Sequence, residues 1–151
     1  MQSNLDVTAE LKHLRRKCVC GRLWLVDETT GIMLASEVEL ADTFWKKFRG
    51  LMFRRSFPRG KAILFKFGRS GRHSVHTFFV RFPIDLVYLD HKFSVVEVRA
   101  GLRPWRFYRP KSASRYLLEL PAGTVTRKKI RAGHKIALKH ENFPRRKGYN
   151  C

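Results

Sequence analysis

Two short segments place charge where a folded chain tolerates it least. Arg49-Gly50-Leu51-Met52-Phe53-Arg54 and His76-Thr77-Phe78-Phe79-Val80-Arg81-Phe82-Pro83-Ile84-Asp85 set a His, three Arg and an Asp inside otherwise apolar runs. Burying such groups without partners is expensive, so the fold must pair them or leave them beside a ligand.

Around these segments the chain is cut into short apolar stretches by turn residues. Val19–Val26 and Ile32–Leu40 flank Asp27-Glu28-Thr29-Thr30-Gly31, a pattern that predicts a hairpin. Phe44, Trp45, Phe48, Leu51 and Met52 fall at helical spacing, so a helix is expected near 42–49, capped by Asp42 or Thr43. Ala62–Phe67 reads as a strand and Gly68–Ser74 as a basic loop. His76, Phe78, Val80 and Phe82 then alternate with Thr77, Phe79 and Arg81 at period two, until Pro83 interrupts the ladder. Ile84–Leu89 and Phe93–Val98 predict a second hairpin, Tyr116–Leu120 a strand, Pro121–Gly123 a turn, and Lys135–Leu138 a last strand. The expected fold class is mainly β (α+β): one compact, antiparallel β-rich, partly barrel-like domain with a short α-helix. Its expected limits are residues 18–140, with an N-terminal tail at 1–17 and a basic C-terminal tail at 141–151.

A chain of 151 residues suits one domain burying ~68–70% of its unfolded surface, and 44% hydrophobic residues with twelve Phe can fill its core. The net charge of +20 is uneven. Residues 1–42 hold five Lys/Arg against seven Asp/Glu, whereas 43–151 hold twenty-seven against five. That field attracts nucleic acid, anionic membrane or acidic protein, although by itself it gives only sequence-blind, salt-sensitive association. Cys18, Cys20 and Cys151 are too few for a disulfide framework and lack zinc-site spacing. No stretch approaches a membrane span and no secretory signal is visible, so the expected compartment is the cytoplasm.

Four blocks, in order, resemble the family called Domain of Unknown Function 192. They are Arg49–Arg54, His76–Asp90, Pro104-Trp105-Arg106 and Leu118-Glu119-Leu120-Pro121-Ala122-Gly123, within a match over roughly 36–139. The resemblance implies a small β-rich, partly barrel-like domain with a short helix, and no assigned activity. Val80 stands where that family usually has Met, and Gly133-His134 where a Gly-Asp pair is common.

Two candidate surfaces follow. The first is a polar pocket or buried network of Arg49, His76, Thr77, Arg81, Asp85, Trp105, Arg106 and Glu119, holding an unknown polar or anionic ligand with Arg as a bidentate clamp. The same residues could instead be structural, with Arg81 paired to Asp85, and Arg49 and Arg106 neutralising Asp85 and Glu119. The second is a nucleic-acid surface of Arg69, Arg72, His73, Arg103, Arg106, Arg109, Lys111 and Arg115, interleaved with Trp105, Phe107 and Tyr108. A hydrolase-like reading would use His76 and Asp85 as an acid–base pair, but no nucleophile lies at compelling spacing. His73 and His76 are three apart and would point to opposite strand faces, so no metal site is expected, and no cofactor. The balance favours a small binding or accessory protein over a catalyst.

Overall fold

The computed structural model describes residues 21–41 and 50–142. The helix expected near 42–49, Arg49, the N-terminal tail, the three cysteines and most of the basic C-terminal tail lie outside them.

The architecture grows outward from two strands that are apolar on both faces. Ile84–Leu89 (β6) is buried at every position, and Ser114–Pro121 (β9) at every position but Arg115. Such strands need cover on both sides and sit centrally. They pair antiparallel in a five-stranded sheet, with Lys61–Gly71 (β4) and Glu37–Ala41 (β3) on one flank and Val95–Leu102 (β7) on the other; the order is β3-β4-β9-β6-β7. Gly21–Asp27 (β1), Ile32–Ala35 (β2) and Ile136–Asn142 (β10) form a three-stranded sheet in the order β10-β1-β2. A two-residue ladder joins Val75–His76 (β5) to Phe107–Tyr108 (β8).

Side chains alternate across β9, so the central sheet carries two cores. Leu118 and Leu120 face Leu64, Val87, Leu25 and Leu138, closing the layer between the two larger sheets. Leu117 faces Ile63, Phe65, Leu86, Tyr88, Leu51, Phe57 and Val80, so the opposite face is covered by the 50–57 segment and the 77–83 loop.

Both hairpins form, as β1–β2 and β6–β7. Three details depart from expectation. The run from Ile32, expected as one strand of a mainly antiparallel domain, breaks at Ser36, and its second half pairs parallel with β4. Strand β4 continues through Gly71, so Gly68–Gly71 are strand rather than loop; after an irregularity, Gly71 pairs with Ser114. Of the alternating segment only His76 is strand, in β5 with Val75, and 77–83 is loop with a turn at Phe78-Phe79. The larger sheets remain open-edged rather than closing into a barrel.

Thr124–Lys128 (α1), the one helix among the described residues, was not anticipated. Gly123, at φ 80°, takes the cap position without a side chain to cap it. The Asp85 carboxylate does so from across the fold: its Oδ2 accepts the Val125 amide at 2.8 Å. His134, standing where the resembling family commonly has an acid, places Nδ1 2.7 Å from Oδ2 of buried Asp27, joining the turn before β10 to the end of β1.

Candidate functional site

Of the eight residues expected to converge, Arg49 lies outside the described residues, and the other seven are not brought to one place. Asp85 is fully buried, and both its oxygens are occupied by backbone: Oδ1 accepts the Gly101 amide and Oδ2 the Val125 amide, each at 2.8 Å. Arg81 is exposed, and Asp85 is satisfied without it. Glu119 lies elsewhere, on β9 opposite Ile63 and Leu86, under the 50–54 turn. It is only 7% exposed, and its Oε2 has no hydrogen-bond partner among the described residues. Burial pushes its carboxyl up to about 8, against the opposing pull of the Arg54 guanidinium. Arg54 itself forms a bidentate pair with Glu39, at 2.7 and 2.6 Å, and donates from Nε to the Gly50 carbonyl. That pairing raises the Arg54 pKa.

His76, Thr77, Trp105 and Arg106 do come together, around Thr77. Its buried hydroxyl donates to the Arg103 carbonyl at 2.7 Å and accepts from the Arg106 amide at 2.9 Å. Its backbone amide donates to the Arg106 carbonyl, and its carbonyl accepts the amides of Trp105 and Val80. One side chain thereby ties the 77–80 turn to the 103–106 loop.

Above this knot stands a band of exposed rings. Phe79 stacks on Phe53 at 5.1 Å and meets Trp105 edge-on at 5.0 Å; Phe78 lies 5.9 Å from Trp105 and 5.0 Å from the His76 ring. Phe107 is paired with His76 across the β5–β8 ladder. Phe53, Trp105 and Phe107 are 62, 56 and 64% exposed. Phe53, Phe79 and Trp105 adopt φ near +60°, where bulky side chains are rare, and the Phe53 amide donates to the Phe79 carbonyl. Sequence reasoning missed Phe53, Phe78 and Phe79. The adjacency of Phe78 and Phe79 was the available signal, since neighbouring residues cannot both enter one core.

The basic residues frame the same ladder. The 69–73 segment runs into β5 and the 103–111 segment contains β8, so the two stretches meet at Val75–Tyr108 and His76–Phe107. Arg69, Arg72, Arg103, Arg106, Arg109 and Lys111 are exposed, and Arg115 is half-buried. His73 serves packing: its ring stacks on Phe67 at 3.7 Å and its Nε2 lies 2.9 Å from the Arg69 carbonyl. Glu97 anchors the other stretch by accepting from Tyr108 Oη at 2.5 Å and from the Lys111 and Ser112 amides at 2.8 and 2.7 Å. Burial pushes the Glu97 carboxyl up, but these bonds outweigh it and leave it below its ordinary value. The Tyr108 phenol, half-buried and bonded to Glu97, is pushed up to about 12 by desolvation and by that bond.

As an acid–base pair His76 and Asp85 are poorly matched: the first stacks in solvent, the second is held by two amides. Among the described residues no cluster of three or more His, Cys, Asp or Glu could hold a metal ion, and no helix is long and apolar enough to cross a membrane.

The family profile DUF192, described as "Uncharacterized ACR, COG1430", matches residues 25–138. The chain belongs to this family. A UPF0127 protein of Pyrococcus horikoshii is 40% identical over 114 residues, covering 74% of this chain and 96% of the relative. Another from Thermococcus sibiricus is 36% identical over 101 residues, covering 67% of this chain; the match spans only 65% of that relative's length. A crystallised protein of unknown function from Novosphingobium aromaticivorans shares the fold at TM-score 0.68 and 20% identity, covering 77% of this chain and 83% of its own. A second fold neighbour, from Sinorhizobium meliloti, has TM-score 0.68 and 23% identity, covering 80% and 95%. The DUF192 match contains both the Thr77 knot and the ring band.

Proposed function

We propose that this DUF192 protein is a binding module, not a catalyst, and that it takes nucleic acid without sequence preference on the surface where its two basic stretches meet. The observation that carries this reading is the antiparallel β5–β8 ladder, which brings the basic 69–73 and 109–111 stretches together at its Val75–Tyr108 end and the exposed Phe78, Trp105 and Phe107 at its His76–Phe107 end. Guanidinium and ammonium groups neutralise phosphates, and the rings supply contact area that every base can use. The net charge of +20 draws a polyanion to that surface. An enclosed pocket for a small anion is the weaker reading, because the residues it needs are divided among Asp85, Glu119 and the Thr77 knot.

Retention on an oligonucleotide column at low and at physiological salt tests the proposal. Reversing Arg69, Arg72, Arg109 and Lys111 to Glu should weaken binding and flatten its salt dependence by several units of slope, each phosphate contact contributing ~0.7–0.9. Binding unaltered by the quadruple substitution would reject this surface. Native mass spectrometry of the purified protein covers the weaker reading: a stoichiometric small anion retained by it would favour a pocket.

A further inference from the structure

We propose that the strand bound here is unpaired, its bases stacking on the open faces of Trp105, Phe107 and Phe53; this rests on the nucleic-acid reading above. Three large rings left more than half exposed, on two separate segments, are an apolar patch that folding alone would remove. Two of these residues, Phe53 and Trp105, are also held at φ 62° and 57°, so the backbone is constrained in the conformation that presents them. Phe79, itself at φ 61°, is wedged between the two rings and holds them as one platform. A duplex offers such a platform little, because its base faces are already stacked and only their edges line the grooves. An unpaired strand offers free faces, with phosphates that the exposed Arg103 and Arg106 beside Trp105 can reach. An anionic lipid surface also attracts aromatic and basic groups. It suits rings that insert singly, whereas Phe53, Phe79 and Trp105 lean on one another.

The test measures anisotropy of a labelled oligothymidylate of roughly 15 nucleotides against a duplex of equal length, with full-length protein at physiological salt. The single strand should bind at least tenfold more tightly than the duplex. It should quench tryptophan emission, and the quench should vanish in Trp105→Phe while affinity largely persists. Trp105→Ala and, independently, Phe107→Ala should each weaken single-strand binding about tenfold. Equal affinity for duplex with no Trp105 quench would overturn this inference and leave the basic surface standing. Loss of both ligands at physiological salt would remove the inference and the surface together. Tighter binding to phosphatidylserine-containing vesicles than to the oligonucleotide would assign the platform to a membrane instead.

Discussion

The segment His76–Asp85 begins in the ring platform and ends in the buried corner where β6, β7 and α1 meet, and its two ends resolve the same problem in opposite ways. At Asp85 a charge is taken inside and satisfied by the amides of Gly101 and Val125. At Phe78 and Phe79 apolar rings are left outside on a constrained turn. The corner is organised for stability, because every interaction of the acid is with backbone that must stay in place. The platform runs against stability, because it exposes rings and holds three non-glycine residues at positive φ. The proposed binding surface therefore lies at the platform end of the segment, although the charged residue first draws the eye to the corner.

The largest effect should come from breaking the corner. Asp85→Ala leaves two amides without an acceptor in a dry site, and urea denaturation should show a loss of about 3–5 kcal/mol. Asp85→Asn retains one carbonyl oxygen and should lose less. If Asp85→Ala unfolded like the parent chain, the corner would not be the structural half of the comparison.

Glu119 sharpens the contrast by being a buried acid without the amides that satisfy Asp85. Its carboxyl, raised to about 8 chiefly by burial, holds its proton in the folded state where an unfolded Glu has lost it. The folded chain thus binds more protons between roughly pH 4.3 and 8, so this group favours folding below that window and loses its contribution as pH rises through it. Stability should fall over that interval with a slope approaching ~1.4 kcal/mol per pH unit, and Glu119→Gln should flatten the profile. A parent chain equally stable at pH 5 and pH 8, once other groups are matched by the variant, would contradict the assignment.

The corner and the platform were unequally legible. β6 and β9 could be read directly, because apolar runs broken only by Asp85 and Glu119 and bounded by Pro83, Asp90 and Pro121 admit little else. The parallel pairing of β3 with β4 could not, since it depends on a tertiary neighbour rather than on either strand's pattern. Helix α1 is five residues long, too short for a helical period to register, and its cap comes from Asp85, thirty-eight residues before Gly123. The sequence marked Asp85 as needing partners but offered only side chains as candidates, and the partners are amides. At the platform, Gly would have signalled positive φ; Phe53, Phe79 and Trp105 carry no such signal. The site residues His76, Thr77, Trp105 and Arg106 were nevertheless singled out, and they are neighbours.

Thr77→Val separates the platform's support from its contact surface. The substitution keeps the β-branched shape but removes the hydroxyl that links the Arg103 carbonyl to the Arg106 amide. Both backbone groups then lose a partner beside a buried position, and the expected loss of stability is about 1–3 kcal/mol. Because the rings of Trp105 and Phe79 would no longer be held together, oligonucleotide affinity should fall at temperatures where the variant remains folded. Affinity unchanged in a folded Thr77→Val protein would mean that the platform needs no support from beneath.

The smallest effect on folding should come from the quadruple reversal of Arg69, Arg72, Arg109 and Lys111 to Glu. All four side chains are exposed, and single surface charges are usually within about ±0.5 kcal/mol in their effect on stability. Lys111 is no exception: Glu97 holds its segment by accepting the backbone amide of Lys111 and not its ammonium. Replacement by Glu therefore leaves that hydrogen bond available, although it adds a like charge nearby. Thermal denaturation close to the parent curve, together with a large loss of polyanion retention, would place charge at the binding surface and stability at the Asp85 corner. A melting temperature lowered as far as by Asp85→Ala would instead show that the basic stretches hold the fold together, and the distinction between the two ends of the segment would fail.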